Sequence, residues 1–170
     1  MGFGSLGRLT LGKLGAGGGG QSQTLIEMTN PGFDSDISGW TSFGSSTVAY
    51  DSGAMKLTVL ETTTANGGRY QDVAMPVSSG SGTLKILSKR DAVGGVTCRV
   101  SLFDGAGFSS SIGTTGQISN NVGGDYVQTT LDFAWSESTV RVYINIVATV
   151  AATDDVNWML DSVELWANPT

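Results

Sequence analysis

The feature that most limits what this chain can fold into is a two-residue alternation of apolar and polar side chains. It recurs from residue 23 onward, and no segment sustains a 3.6-residue period. Met55, Leu57 and Val59 alternate with Lys56 and Thr58. Val96, Cys98, Val100 and Leu102 alternate with Thr97, Arg99 and Ser101, and Val140, Val142, Ile144 and Ile146 with Arg141, Tyr143 and Asn145. Successive side chains of an extended backbone point to opposite faces, so each run reads as a strand buried on one side. Turn-forming clusters separate the runs at Asp51-Ser52-Gly53, Asn66-Gly67-Gly68, Ser78 to Gly82, Gly94-Gly95 and Gly123-Gly124-Asp125. The pattern predicts strands near residues 23–28, 45–50, 54–60, 69–75, 83–90, 96–103, 126–134, 139–147 and 157–166. Short strands spaced in this way close into a two-sheet all-β sandwich, and a jelly roll is the common solution at this length.

The first 22 residues read differently. Nine of the first twenty are glycine, ending in Gly17-Gly18-Gly19-Gly20, a composition that builds a tether with no core of its own. Leu6-Gly7-Arg8-Leu9 is echoed by Leu11-Gly12-Lys13-Leu14, so Phe3, Leu6, Leu9, Leu11 and Leu14 ride on a backbone too glycine-rich to hide them locally. One reading is a disordered tail; the other is an anchoring arm whose apolar residues, with Arg8 and Lys13, lodge in a groove on a partner. The division expected is an arm over residues 1–22 and a sandwich over 23–170. Gly2-Phe3-Gly4-Ser5-Leu6-Gly7 matches a dinucleotide fingerprint in spacing, but there is no room for the strand that must precede it.

Composition excludes several chemistries. With 170 residues and no histidine, the chain has no imidazole for a Ser-His-Asp or Cys-His relay, nor for a His-ligated zinc. The lone Cys98 cannot close an intramolecular disulfide, and its place between Val96 and Val100 makes it an inert core thiol. Net charge is −6, and because Arg8 and Lys13 lie in the arm the body carries seven basic against fifteen acidic residues, a net of −8. Scattered basic residues in an acidic body make a nucleic-acid partner unexpected. No apolar run is long enough to span a membrane, and glycine interrupts the N-terminal segment too often for a signal peptide.

Asn30-Pro31-Gly32-Phe33, then Gly39-Trp40, Gly53-Ala54-Met55-Lys56-Leu57-Thr58-Val59, Tyr70-Gln71-Asp72-Val73 and a closing Trp158-Met159-Leu160-Asp161-Ser162-Val163-Glu164-Leu165 follow one another in an order that resembles the carbohydrate-binding-module jelly rolls. These are galactose-binding-like β-sandwiches often appended to glycoside hydrolases. The resemblance covers about 140 residues and implies a sandwich fold and glycan adhesion. It also implies a structural calcium held by Asp161 with Glu27 and Asp34, where strict alternation would turn Asp161 to the core side with Met159, Val163 and Leu165. The start Met1-Gly2-Phe3-Gly4 with Leu6-Gly7-Arg8-Leu9 and the glycine run is similar to the N-termini of small virion proteins of tailed phages. That likeness implies a non-enzymatic decoration, minor capsid or fibre-type protein, made in the host cytoplasm and built into the particle. Its partners would be the major capsid protein or neighbouring virion subunits, in a homo-oligomer such as a trimer. The alternative is a carbohydrate-binding module that adheres to host or environmental glycans.

For a glycan site the candidate aromatic platform is Trp40, Tyr70 and Phe108, with Phe43 and Tyr50 in reserve and Asn66, Gln71, Asp72 and Gln128 as polar partners. Phe108 stands at the end of Asp104-Gly105-Ala106-Gly107, an isolated ring on a glycine hinge. Set against this, Trp40, Trp135 and Trp158 suit the core, because large aromatics dominate burial. Asp154-Asp155 could be a carboxylate pair for glycoside hydrolysis, but adjacent residues on a strand face opposite ways, so a solvated turn is expected instead.

Overall fold

The computed structural model describes residues 22–91, 95–118 and 123–168; the arm residues Phe3, Leu6, Arg8, Leu9, Leu11, Lys13 and Leu14 lie outside them. Eleven strands and no helix occur among the described residues. They are β1 (Thr24–Leu25), β2 (Thr41–Gly44), β3 (Thr47–Asp51), β4 (Ala54–Val59), β5 (Ala65–Ala74), β6 (Gly80–Arg90), β7 (Thr97–Asp104), β8 (Ser111–Thr114), β9 (Val127–Trp135), β10 (Thr139–Ala148) and β11 (Val156–Ala167). One sheet runs β3-β4-β11-β6-β9, with β1 pairing the far end of β11; the other runs β2-β5-β10-β7-β8. Every pairing between these strands is antiparallel, and the two layers enclose one core. The all-β jelly-roll-type sandwich expected from the alternation is the fold observed.

The core is made of the alternating residues themselves. Met55, Leu57 and Val59 of β4, Leu84 and Ile86 of β6, and Trp158, Leu160, Val163 and Leu165 of β11 meet Cys98, Val100 and Leu102 of β7 and Val140 to Ile146 of β10 at alternate positions. The Cys98 thiol is buried, and burial pushes its pKa up to about 12. Trp40 packs on Phe33 with ring centres 5.7 Å apart and donates through Nε1 to the Asn30 carbonyl. At 6% exposure it is a core side chain, which removes it from any glycan platform.

Two short strands escape the alternation. Thr41-Ser42-Phe43-Gly44 and Ser111-Ile112-Gly113-Thr114 are four-residue edge strands with little burial, so no apolar rhythm marks them. The first predicted strand, 23–28, pairs as strand only at Thr24 and Leu25. A third difference lies in β11, where the register against β6 slips between Leu160 and Ser162. A bulge places two residues opposite one and inverts the alternation beyond it. Trp158 and Leu160 therefore face the core before the bulge, Val163 and Leu165 after it. Met159 and Asp161 are half-buried on the other face, which corrects the core-facing orientation expected for Asp161.

The segment between β1 and β2 is clamped by Gln71. Its side chain accepts from Thr29 N at 2.9 Å and donates to the carbonyls of Thr29 at 2.9 Å and Gly39 at 3.1 Å. Gly39 has φ of 79°, and a Cβ there would lie 2.5 Å from the Thr29 methyl, so only glycine fits this clamp. Gln71 is thus structural, not a polar partner of the candidate platform.

Candidate functional site

The outward face of the five-stranded sheet is built by the residues that alternate with the core. On β10 these are Arg141, Tyr143 and Asn145; the register sets Asp72 of β5 beside Arg141, Tyr70 beside Tyr143 and Gly68 beside Asn145. On the far side of β10, Phe103 lies beside Arg141 and Ser101 beside Tyr143. From β2, Phe43 falls next to Gly68. Gly68 can be nothing larger, since a Cβ would come within 1.8 Å of the Ile144 carbonyl oxygen.

Phe108 reaches over this face from the connection between β7 and β8. Its ring centre lies 4.9 Å from Phe43, 5.2 Å from Tyr143, 5.4 Å from Phe103 and 5.5 Å from Tyr70, the last three near edge-on. Phe43 meets Tyr143 edge-on at 5.4 Å. Such tilted and edge-to-face geometries are the ones favoured by the ring quadrupoles. The connection is pinned at its base. Asp104 accepts from the amides of Ser136 and Glu137 at 3.0–3.1 Å, and Gly105 N donates to the Thr139 carbonyl at 2.9 Å with Gly105 at φ of 78°.

A charged pair braces the rings. Arg141 donates to Asp72 through Nε at 2.6 Å and Nη2 at 2.8 Å, and its guanidinium carbon stands 4.1 Å from the Tyr70 ring centre and 4.6 Å from that of Phe108. The hydrogen bonds to Asp72 raise the Arg141 pKa above its ordinary value, against the opposing pull of burial. Asn145 donates through Nδ2 to the Tyr143 hydroxyl at 2.8 Å. Burial raises the Tyr143 pKa, with that hydrogen bond opposing the rise.

Of the expected platform residues, then, the structure brings Tyr70 and Phe108 together, joins Phe43 to them, and buries Trp40 elsewhere. Tyr50 belongs to β3 of the other sheet, where its hydroxyl donates to the Asp34 carbonyl at 3.2 Å. Among the polar partners, Asp72 and Asn66 share the aromatic face, whereas Gln128 lies on β9 of the other sheet. Phe103, Tyr143 and Arg141 were not singled out from the sequence. Their signal was there: they occupy the polar phase of runs whose apolar phase marked the core. Asp154 and Asp155 are exposed beside β11, and Asp155 accepts from Glu61 N at 2.6 Å, as a turn residue would. Glu27 and Asp34 are exposed and Asp161 is half-buried, and among the described residues no group of three or more His, Cys, Asp or Glu is arranged to hold a metal ion.

No protein-family model matches the chain, and no curated protein matches it significantly. Solved structures do. The sandwich is similar to a CBM4 carbohydrate-binding module at 12% identity and a TM-score of 0.59, covering 84% of this chain and 100% of that one. It is similar to TmCBM61, solved with β-1,4-galactotriose, at 15% identity and a TM-score of 0.57, covering 84% and 99%. The enzymatically active domain of tailspike protein 4 from bacteriophage CBA120 is similar at 16% identity and a TM-score of 0.57. There the match covers 84% of this chain but only 21% of the tailspike chain. At such identities what is shared is the fold, a two-sheet antiparallel β-sandwich similar to those of these modules.

Proposed function

We propose that the sandwich is a non-catalytic glycan-binding module and that it binds through the outward face of its five-stranded sheet. The observation that carries this reading is the aromatic cluster of Phe43, Tyr70, Phe103, Phe108 and Tyr143 around the Arg141–Asp72 pair. Pyranose rings present apolar C–H faces and a rim of hydroxyls, so a binding face needs ring surfaces with a few fixed polar groups between them. Asp72, held in place by Arg141, is suited to accept a hydrogen bond from a sugar hydroxyl. The likeness to a module solved with β-1,4-galactotriose supports the reading. Screening the chain on a glycan array, followed by calorimetry on the best oligosaccharide, tests it. Tyr70→Ala should weaken binding at least about tenfold, roughly the worth of one good ring contact. Tyr50→Ala, on the other sheet, should leave binding unchanged. Equal losses from the two substitutions, or no binding on the array, would refute the assignment.

The similarity to part of a phage tailspike favours a second reading of where such a module works. In this reading the chain is a virion component, made in the host cytoplasm and anchored through Phe3, Leu6, Leu9, Leu11 and Leu14, with Arg8 and Lys13, to a capsid protein or a neighbouring subunit. Five such side chains buried in a partner would contribute roughly 7–15 kcal/mol gross, most of it offset by ordering some twenty residues, so several copies in an oligomer would be needed for lasting attachment. Deleting residues 2–20 should then abolish incorporation into particles while sparing glycan binding; incorporation that survives the deletion excludes the arm as anchor.

A further inference from the structure

Resting on the glycan-binding reading, we infer that Phe108 is a built-in occupant of the aromatic face, a ring that must swing aside before a sugar can stack on Tyr70 and Tyr143. Three observations lead there.

The first is the direction of the ring contacts. Phe108 touches Phe43, Tyr70, Phe103 and Tyr143 and also lies against the Arg141 guanidinium, so the rings of the face are turned to one another. Beneath it, Tyr143 and Arg141 are only 8% and 9% exposed, whereas Phe43 and Phe108 are 43% and 37% exposed. The rings that would stack a sugar, Tyr70 and Tyr143, are already covered edge-on by Phe108.

The second is a polar group left unanswered on the same face. Asn145, the next outward residue of β10 after Tyr143, is 2% exposed; its Nδ2 serves Tyr143, and its Oδ1 is buried without a hydrogen-bond partner. A buried acceptor without a partner is uncommon and unfavourable. A hydroxyl donated by a ligand settling on this face would satisfy it.

The third is the build of the carrier. Residues 105–110 connect β7 to β8, and Phe108 follows Gly107, where an added Cβ would meet nothing closer than 3.9 Å. Asp104 fixes the base of the connection, which its amide closes on the Ser110 carbonyl at 2.8 Å, while Gly105 and Gly107 place no side chain in the way of a turn at the tip. Phe108 is the only residue of the 105–110 tip whose ring meets the sheet face, so its movement uncovers Tyr70 and Tyr143 together.

Only the open fraction of such a protein binds, so the apparent dissociation constant is the intrinsic one divided by that fraction. If the face is open about a tenth of the time, Phe108→Ala should tighten oligosaccharide binding about tenfold, chiefly through a faster association rate. A readout that needs no sugar accompanies it: acetylation of the Tyr143 hydroxyl by N-acetylimidazole, located by mass spectrometry, should proceed several-fold faster in Phe108→Ala, with Phe108→Leu intermediate and unchanged circular dichroism certifying the fold. Weaker binding by Phe108→Ala would make the ring part of the platform and overturn the proposal, as would unchanged affinity together with unchanged Tyr143 reactivity. If neither the native chain nor the variant binds any glycan, the glycan-binding reading fails while the acetylation rates still decide whether Phe108 covers the face.

Discussion

The pair at the centre of the aromatic face allows a quantitative test of whether it is a structural brace or a solvated surface contact. Arg141 makes two short hydrogen bonds to Asp72, at 2.6 and 2.8 Å, and the two side chains are 11% and 35% exposed. Charge-assisted bonds contribute about 1.5–3 kcal/mol each when shielded, but the partly solvated carboxylate screens this pair, so a coupling of about 1–2 kcal/mol is expected. The guanidinium also lies on Tyr70 and Phe108, adding about 0.5–1 kcal/mol per ring. Arg141→Met keeps the aliphatic stem but loses both sets of interactions, and should destabilise the protein by about 2–4 kcal/mol. At roughly 2–4 °C per kcal/mol for a domain of this size, Tm should fall by about 4–16 °C. Asp72→Asn should cost about 1–2 kcal/mol. Urea denaturation of both single variants and the double variant gives the coupling directly. A coupling below about 0.3 kcal/mol would refute the argument and place the pair among surface contacts of no consequence.

Two further outcomes follow from the core. Cys98 ionises near 9 when unfolded and at about 12 when folded, so above pH 9 the unfolded chain loses a proton that the native state keeps. Stability should therefore fall by roughly 1.4 kcal/mol per pH unit between about pH 9 and 12 from this group alone, and Cys98→Ala should remove that component from a pH series of denaturation curves. Trp158 is fully buried and its Nε1 has no partner, so Trp158→Ala should destabilise by about 3–5 kcal/mol by chemical denaturation. Trp158→Phe, which removes the orphaned donor along with some volume, should lose well under half of that.

How much of this was legible from the residues depends on which signal each part of the structure obeys. The long strands β4 to β7 and β9 to β11 announce themselves because one face of each lies in the core, and that is what writes a period of two into a sequence, although Asn66-Gly67-Gly68, expected as a turn, belongs to the first half of β5. β2 is exposed throughout and β8 is half-buried only at Ile112 and Gly113, too little to write an apolar rhythm into Thr41–Gly44 or Ser111–Thr114. Asp161 was misplaced for a different reason. The bulge at Leu160–Ser162 shifts the phase by one residue without any glycine or proline to signal it, and every face assignment based on Met159 inverts beyond it. Trp40 and Phe108 show the limit for sites. Both follow a turn rich in glycine, and only the folded chain reveals that the first plugs the core while the second lies across a sheet. The aromatic face as a whole was half-visible: Phe43, Tyr70 and Phe108 drew notice as rings and Asn66 and Asp72 as polar partners, whereas Arg141, Tyr143 and Asn145 served only as spacers between core valines and isoleucines.

Strand β10 answers to two sets of demands in strict alternation, with Val140, Val142, Ile144 and Ile146 sealed between the sheets and Arg141, Tyr143 and Asn145 buried beneath the side chains of the opposite face. Neighbouring positions there cannot drift independently, because a shift of one residue would exchange the two sets. On the proposed glycan-binding reading, change in specificity should accumulate at the margins of the face, on Phe43 of a four-residue edge strand and on Phe108 of the β7–β8 connection. The middle strand holds the shape steady while the periphery is free to explore.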